Sequence, residues 1–415
     1  MPQDIRLKIA FVESSADMGG VQFTTLYFLQ HLNSREWDAV VICPKEGDLS
    51  EACRRSNIEV NILGFPHMRS VSFRISRNGT SVPNILAWVW NLWATLVASH
   101  RLALFVKKAK PDLVVTKGIF PHLYGGFVAR CFNIPCVWHV QDFISERFLK
   151  IYQRIFTQLA RWLPNHIIVD GASILRQLAT VQDRVTVIHN GIDTGVFRPN
   201  IDGQAFRREM SIPFDATVIG SVGRMTPWKG QHYLLEAFAR IAAKDPNVYL
   251  LFVGSPVFDN DSFQRYLLDR TSKLGLNHIV KFAGYRHDIP SVMASMNVFA
   301  FTSTEKDTSP LALLSAMSSA LPIVAFDIEG VRELMTDQEF LAVPVKRIDA
   351  LAESLTRLLT DRTLCSRLSR SARDRAVEEF SLRQHIFRME KVLLSVARKA
   401  RSESTTVVES CDIPA

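Results

Sequence analysis

Short apolar runs alternate with longer segments whose apolar residues recur every three or four positions along most of this 415-residue chain. The runs IAFV, AVVIC, LVVT, HIIVD, VTVIH, TVIGSV, VYLLFVG, NVFAF and PIVAF are too continuously apolar for strands with one wet face, so both faces must be covered. The amphipathic segments between them supply that cover. Strand and helix in alternation predict parallel sheets with helices on either side, an α/β, doubly wound architecture. Beyond Val343 the pattern gives helices alone, over residues 348–359, 363–380 and 382–399.

The length exceeds what one compact core organises, so two domains are expected. The segment VIHNGIDTGVFRPN ends a strand in an Asn-Gly turn and runs on through Gly195 and Pro199, which makes it the domain boundary. The expected organisation is a Rossmann-like domain over 1–197 and a second such domain over 198–375. A C-terminal helix over 376–400 packs back toward the first domain, and a polar, aperiodic tail over 401–415 is mobile. Two such domains on a short hinge face a central cleft at the carboxyl ends of their strands, where open α/β sheets bind ligands.

The net charge of +8 is uneven. Residues 1–198 carry 22 Lys+Arg against 15 Asp+Glu, and the remainder carries 27 against 26. The basic excess thus belongs to the first half and points it toward an anionic partner. Nucleic acid is not expected, because no zinc-ligand array, RNA-binding aromatic signature or long basic run is present. An anionic membrane surface fits better. The segment 83–110, PNILAWVWNLWATLVASHRLALFVKKAK, is too interrupted to span a bilayer, and its three tryptophans and basic end suit a helix lying on one. The other reading is a core helix of the first sheet, the usual place of an aromatic stripe. A second basic amphipathic segment, 147–163, adds to the membrane reading. Six cysteines without CxxC spacing fit a reduced compartment, and the N-terminus reads as a first strand and not as a signal peptide. The protein is read as cytoplasmic, peripheral at the inner face of the membrane.

Candidate chemistry clusters at strand ends. In IGSVGRMTPWKGQHYLLEAF, Arg224 and Lys229 stand five residues apart between a strand and a helix that opens near Gly230. A planar guanidinium fork and a compact ammonium there suit a diphosphate, and the helix dipole adds to them. Gly19 and Gly20 precede a helix after the first strand, where exposed amides suit an anion or a sugar. In WHVQD, His139 and Asp142 stand at or just past a strand end, and the imidazole can meet a phosphate, meet a hydroxyl or shuttle a proton. In TSTEKDTSPLALLSAMSSALPIVAF, Ser309 is expected to cap a helix with Pro310 at its first position, freeing the amides of Leu311 and Ala312 for a phosphate. Asp307, just before them, can accept from sugar hydroxyls, and an ordinary helix-entry role for Glu305 and Asp307 is the alternative.

With these motifs assembled, the chain resembles a family 4 glycosyltransferase of the GT-B architecture. MGGVQ, the His of HVQD, VIHNGID, GSVGRMTPWKGQHYLLEAF, VGS, FAGYRHD and SPLALLSAMSSALPIVA carry the resemblance over essentially the whole length. It implies sugar transfer from a UDP- or GDP-linked donor to a saccharide or lipid-linked acceptor in cell-surface polysaccharide or glycolipid synthesis, with retention and with neither metal nor cofactor. It also implies that Arg224, Lys229, Asp307 and His139 are catalytic, with His139 on the sugar or the leaving phosphate. Gly19, Gly20, Gly223 and Gly254 would lie along the donor, and Gly284, Tyr285 and Arg286 would line the nucleobase pocket. Pro310, Leu311 and Ala312 would present the phosphate-binding helix start.

One departure stands out. The family places two glutamates seven residues apart in this region. Here they fall on Asp307 and Ser315, and the usual glycine of that helix end is Ala320. Losing a charge-assisted grip on the ribose hydroxyls costs donor affinity roughly 10- to 100-fold. The runner-up function is therefore a non-catalytic or weakly active sugar-nucleotide-binding scaffold. An epimerase of the same architecture ranks third.

Overall fold

The computed structural model describes residues 6–69, 72–74, 81–141, 143–144, 151–256, 261–305 and 307–411. The chain divides into two compact units, Met1–Ile188 with Ile386–Ala415, and His189–His385.

The first unit holds β1 (Leu7–Glu13), β2 (Trp37–Cys43), β3 (Glu59–Ile62), β6 (Leu113–Lys117), β7 (Cys136–Val140), β8 (His166–Val169) and β9 (Val185–Val187), with an antiparallel hairpin of β4 (Ser72–Arg74) and β5 (Ser81–Pro83) beside the main sheet. The main sheet is parallel throughout, in the order β3-β2-β1-β6-β7-β8-β9. The second unit repeats the scheme with β10 (Thr217–Val222), β11 (Val248–Val253), β12 (Val280–Phe282), β13 (Val298–Phe301), β14 (Ile323–Phe326) and β15 (Leu341–Val343), in the order β12-β11-β10-β13-β14-β15. In each sheet the order reverses beside its first strand, and ligands of open α/β sheets bind outside the strand ends at such a point.

The continuous apolar runs are explained by burial on both faces. In the second unit Val218, Leu251, Val253, Phe299 and Phe301 pack into one core layer, while Ile219, Leu250, Phe252, Val298 and Ala300 pack into the other. Successive residues of a strand point to opposite faces, so two cores need every position apolar.

The helix Ile85–Ala109 resolves the ambiguity of segment 83–110 in an unexpected way. Ala87, Asn91, Ala94, Ala98, Leu102 and Val106 form its buried face, and Asn84 caps its start by accepting from the Ala87 amide. The bulky residues lie on the other side: Ile85, Leu86, Trp88, Val89, Leu92, Trp93 and Leu96 are all exposed. Small residues against the unit let the helix pack closely, and they leave the large apolar ones in solvent. Among the described residues no helix is long and apolar enough to cross a membrane. The last helix, Leu382–Cys411, runs on through most of the segment expected to be a tail.

Candidate active site

In the second unit, the chain leaves β10 through Gly223 and Arg224, makes a short 3-10 turn over Pro227–Lys229 and enters the helix Gln231–Ala242. This loop is fixed to the one after β13. Thr304 N–H donates to the Trp228 carbonyl at 2.8 Å, the Thr302 hydroxyl donates to the Lys229 carbonyl at 3.0 Å, and a Cβ on Gly230 would lie 2.0 Å from the Thr302 carbonyl oxygen. Gly230 has φ +70°, so both backbone and space demand glycine there. Gly254 closes the neighbouring strand end in the same way, since its Cβ would lie 2.0 Å from the Gly223 carbonyl oxygen. The Arg224 side chain is exposed, its guanidinium 5.6 Å from the Trp228 ring centroid.

Lys229 and Asp307, which the sequence assigns to different parts of the donor, are in direct contact. Lys229 Nζ donates to Asp307 Oδ2, and the Ser303 hydroxyl donates to the same oxygen at 2.9 Å. The ammonium also lies 4.4 Å from the Trp228 ring centroid. Burial holds the Lys229 pKa below the ordinary lysine value, against the opposing pull of Asp307, and nearby Arg224 lowers it further. An ammonium has three donors, so Lys229 can keep Asp307 and still meet an anion.

The helix start differs from expectation by one residue. Pro310 is the N-cap of Leu311–Ser318, and Ser309 stands outside it with φ +43°. The Ser309 side chain is already engaged, accepting from the Asn190 amide at 2.7 Å while the Asn190 Nδ2 donates to the Ser309 carbonyl at 2.9 Å. The amides of Leu311 and Ala312 precede any intrahelical acceptor, as a first turn requires, and can serve a phosphate. Ser315 is buried and its hydroxyl donates to the Leu311 carbonyl at 2.8 Å, so the helix takes up the group that stands where the family has its ribose glutamate. Tyr285 is half-exposed and meets His287 edge-on, and nothing lies near the position of a Cβ on Gly284. Arg286 is not a free cation: its fork pairs with Asp288 at 2.8 Å and with Glu209 at 2.6 Å, and these pairs raise its pKa. The residues missed by sequence reasoning are Asn190, Ser303 and Trp228: Asn190 clamps Ser309 and the Trp228 carbonyl accepts from Thr304, both across long stretches of chain, while Ser303 supports Asp307 from four residues away.

The first unit gathers a polar row. Glu13 at the end of β1 is in register with Lys117 at the end of β6, Lys117 is in register with His139 on β7, and Asp170 directly follows β8. These strands are neighbours, and all four side chains are at most 2% exposed. His139 Nε2 lies 2.8 Å from Asp170 Oδ1, and Gln141 Nε2 donates to Asp170 Oδ2 at 2.9 Å. Lys117 Nζ donates to the hydroxyls of Thr25 at 2.8 Å and Thr24 at 3.1 Å, and the Thr25 hydroxyl donates in turn to Glu13 Oε1 at 2.6 Å. Both threonines belong to the helix Gly20–His31, whose N-cap is Gly19, so the row anchors the glycine loop. Burial pushes Glu13 up and Lys117 down, each opposed by the charge of the other. Gly20 at the helix start is exposed, with open space where a Cβ would be. Asp142 lies outside the described residues, as do 147–150 of the segment 147–163.

Two family models match, and together they cover most of the chain: Glycosyltransferase Family 4 over residues 18–196 and Glycosyl transferases group 1 over residues 202–375. A similar curated protein is the UDP-Gal:alpha-D-GlcNAc-diphosphoundecaprenol alpha-1,3-galactosyltransferase of Escherichia coli, 25% identical over 408 residues, which are 94% of this chain and 97% of that protein. The D-inositol 3-phosphate glycosyltransferase of Stackebrandtia nassauensis is 32% identical over 201 residues, 47% of this chain and 45% of that protein. The crystal structure of Anabaena HepE in complex with UDP-glucose superposes with a TM-score of 0.79 at 22% identity, covering 94% of this chain and all of that one.

Proposed function

We propose a donor, an acceptor class and a stereochemical course for a chain that belongs to the family 4, group 1 glycosyltransferases and has their GT-B fold. The donor is a UDP-sugar, the acceptor is a lipid-linked saccharide, and the transferred sugar keeps its anomeric configuration. The observation that carries this reading is the loop after β10, where exposed Arg224 and tethered Lys229 precede a helix, together with the open helix start at Leu311. As the sugar–phosphate bond breaks, negative charge collects on the diphosphate, and a guanidinium, an ammonium and two amides stabilise it without a resident metal. UDP is favoured by the donors named for the E. coli enzyme and bound in HepE, and the E. coli enzyme's diphosphoundecaprenol substrate supports the lipid-linked acceptor. A scaffold without turnover is not favoured, because the relatives matched by both halves are transferases.

The same reading places the first unit on the inner face of an anionic membrane. Between Glu59 and Asp112 there is no acidic residue, while Arg69, Arg74, Arg77, Arg101, Lys107, Lys108 and Lys110 supply seven cations. The exposed apolar face of Ile85–Ala109 lies within that segment. A basic, aromatic-rich surface of this kind suits insertion between anionic headgroups.

A screen of UDP- and GDP-sugars by thermal shift, followed by turnover with an undecaprenyl diphosphate-linked sugar and determination of the anomeric centre in the product, tests the assignment. Retained configuration with a UDP-sugar is the expected result. Stabilisation by GDP-sugars alone would overturn the donor, and an inverted product would overturn the course.

A further inference from the structure

Trp228 meets both cations of the loop after β10. The Lys229 ammonium lies over its ring, 4.4 Å from the centroid, and the Arg224 guanidinium lies over it at 5.6 Å. Both contacts fall within the reach over which the negative face of an indole attracts a cation. A second ring, that of buried Phe301 at the end of β13, stands 5.4 Å from the same ammonium. Burial and Arg224 both disfavour the charge on Lys229, while Asp307 favours it. The aromatic faces add to the favourable side and leave the positive charge uncancelled, which a second carboxylate would not do.

The backbone that carries the indole is fixed. Thr304 donates to the Trp228 carbonyl twice, from its amide at 2.8 Å and from its hydroxyl at 3.1 Å. Arg224, by contrast, is exposed, and among the described residues its guanidinium has neither a hydrogen bond nor an ion pair, so the ring is what restrains it. An unrestrained arginine or lysine loses rotamer freedom when an anion captures it, which lowers affinity about two- to tenfold for each side chain. A ring that already holds both side chains removes most of that loss.

We propose that Trp228 is a positioning residue for the donor diphosphate, its ring holding Arg224 and Lys229 in their anion-binding arrangement before the donor arrives. This rests on the diphosphate-binding role given above to that loop.

The test uses the full chain, with inorganic pyrophosphate and UDP as probes in calorimetry. Trp228→Leu should weaken both about tenfold, and Trp228→Phe, which keeps an aromatic face, should stay within about threefold of the wild type. Fluorinated tryptophans placed at position 228 alone keep the shape of the ring and withdraw charge from its face. Pyrophosphate affinity should then fall stepwise with fluorine number, a result that does not depend on the Leu variant folding well. With no ligand present, the ε-methylene proton signal of Lys229, assigned by its absence in Lys229→Arg, should lie upfield of free lysine and move back toward it in Trp228→Leu. An ordinary signal in the wild type, Leu and Phe variants that bind alike, or an affinity indifferent to fluorination would overturn the proposal. Weaker binding of UDP with unchanged binding of pyrophosphate would assign Trp228 to the nucleoside and overturn it as well. If the wild type binds neither probe, the diphosphate reading of the loop fails and takes this one with it, and the ligand-free spectrum distinguishes that outcome from a misplaced ring.

Discussion

Lys229 donates a hydrogen bond to Asp307, so the ammonium read as a diphosphate contact and the carboxylate read as a sugar contact are one ion pair. Burial already lowers the Lys229 pKa, and Asp307 opposes the shift. Neutralising Asp307 removes that opposition, and Lys229 then loses its proton at a lower pH than in the wild type. In Asp307→Asn the basic limb of the kcat/KM profile should therefore move toward neutrality. Lys229→Ala should lose about 100- to 1000-fold in kcat/KM, the usual cost of removing one preorganised donor from developing charge. Steady-state rates with a fixed UDP-sugar between about pH 6 and 10, a range bracketing ordinary lysine titration, measure both. An unmoved basic limb in Asp307→Asn would show that the pair does not control the charge of Lys229.

Ala320 carries a cost where the family places glycine. It follows the helix Leu311–Ser318 with φ +55°, and the amides of Ala320 and Leu321 close on the carbonyls of Met317 at 3.0 Å and Ala316 at 3.1 Å. Those two bonds define a left-handed helix terminus that an L side chain enters at a penalty. Ala320→Gly should stabilise the protein by about 0.5–1 kcal/mol, the relief of strain less the extra freedom of glycine in the unfolded chain. Thermal unfolding measures the gain, and a lower Tm would contradict the strain argument.

Both sheets were legible because burial on two faces leaves long apolar runs, and the loop motifs were legible because glycine, proline and cations punctuate strand ends. Glu13, Lys117 and Asp170 were not. Each is a single polar residue closing an apolar run, and only the register of β1, β6, β7 and β8 brings them together. The Asn190 clamp on Ser309 spans 119 residues, a relationship that no local pattern encodes. Segment 83–110 carried a readable clue in the spacing of Ala87, Asn91, Ala94 and Ala98, which marks the buried face more reliably than the bulk of its tryptophans.

His122 should make the first unit acid-sensitive. It is buried, stacked on Trp138 at 4.9 Å, and its ring contacts the Thr116 hydroxyl at 2.7 Å. Burial, with a smaller contribution from His139, lowers its pKa to about 3. The unfolded chain takes up the proton near the ordinary value of 6.5 and the folded chain does not. This contribution is therefore fully present above that value and falls by about 1.4 kcal/mol per pH unit as pH drops toward 3. His139 acts in the same direction and Glu13, whose pKa is raised, in the opposite one, but both are common to wild type and variant. The stability of wild type relative to His122→Phe should thus fall from pH 7.5 to 5.5, a range spanning ordinary histidine titration, as read from urea midpoints. A constant difference would show that His122 titrates alike in both states.

The exposed face of Ile85–Ala109 gives a prediction separable from catalysis. Trp88 and Trp93 are about half-exposed, and neither belongs to the candidate site. Trp88→Glu with Trp93→Glu removes two apolar anchors and adds two negative charges beside a basic segment. Desolvating the aromatic rings and attracting anionic headgroups both favour the wild type at a membrane. The double variant should lose sedimentation with phosphatidylglycerol vesicles at low salt, while turnover of a short-chain, water-soluble acceptor stays within about twofold, as expected for exposed surface positions. In the wild type, binding to those vesicles should weaken as salt rises, because the cations act over a Debye length of about 10 Å at 0.1 M ionic strength. Equal, salt-insensitive sedimentation of wild type and variant would assign this face to another partner.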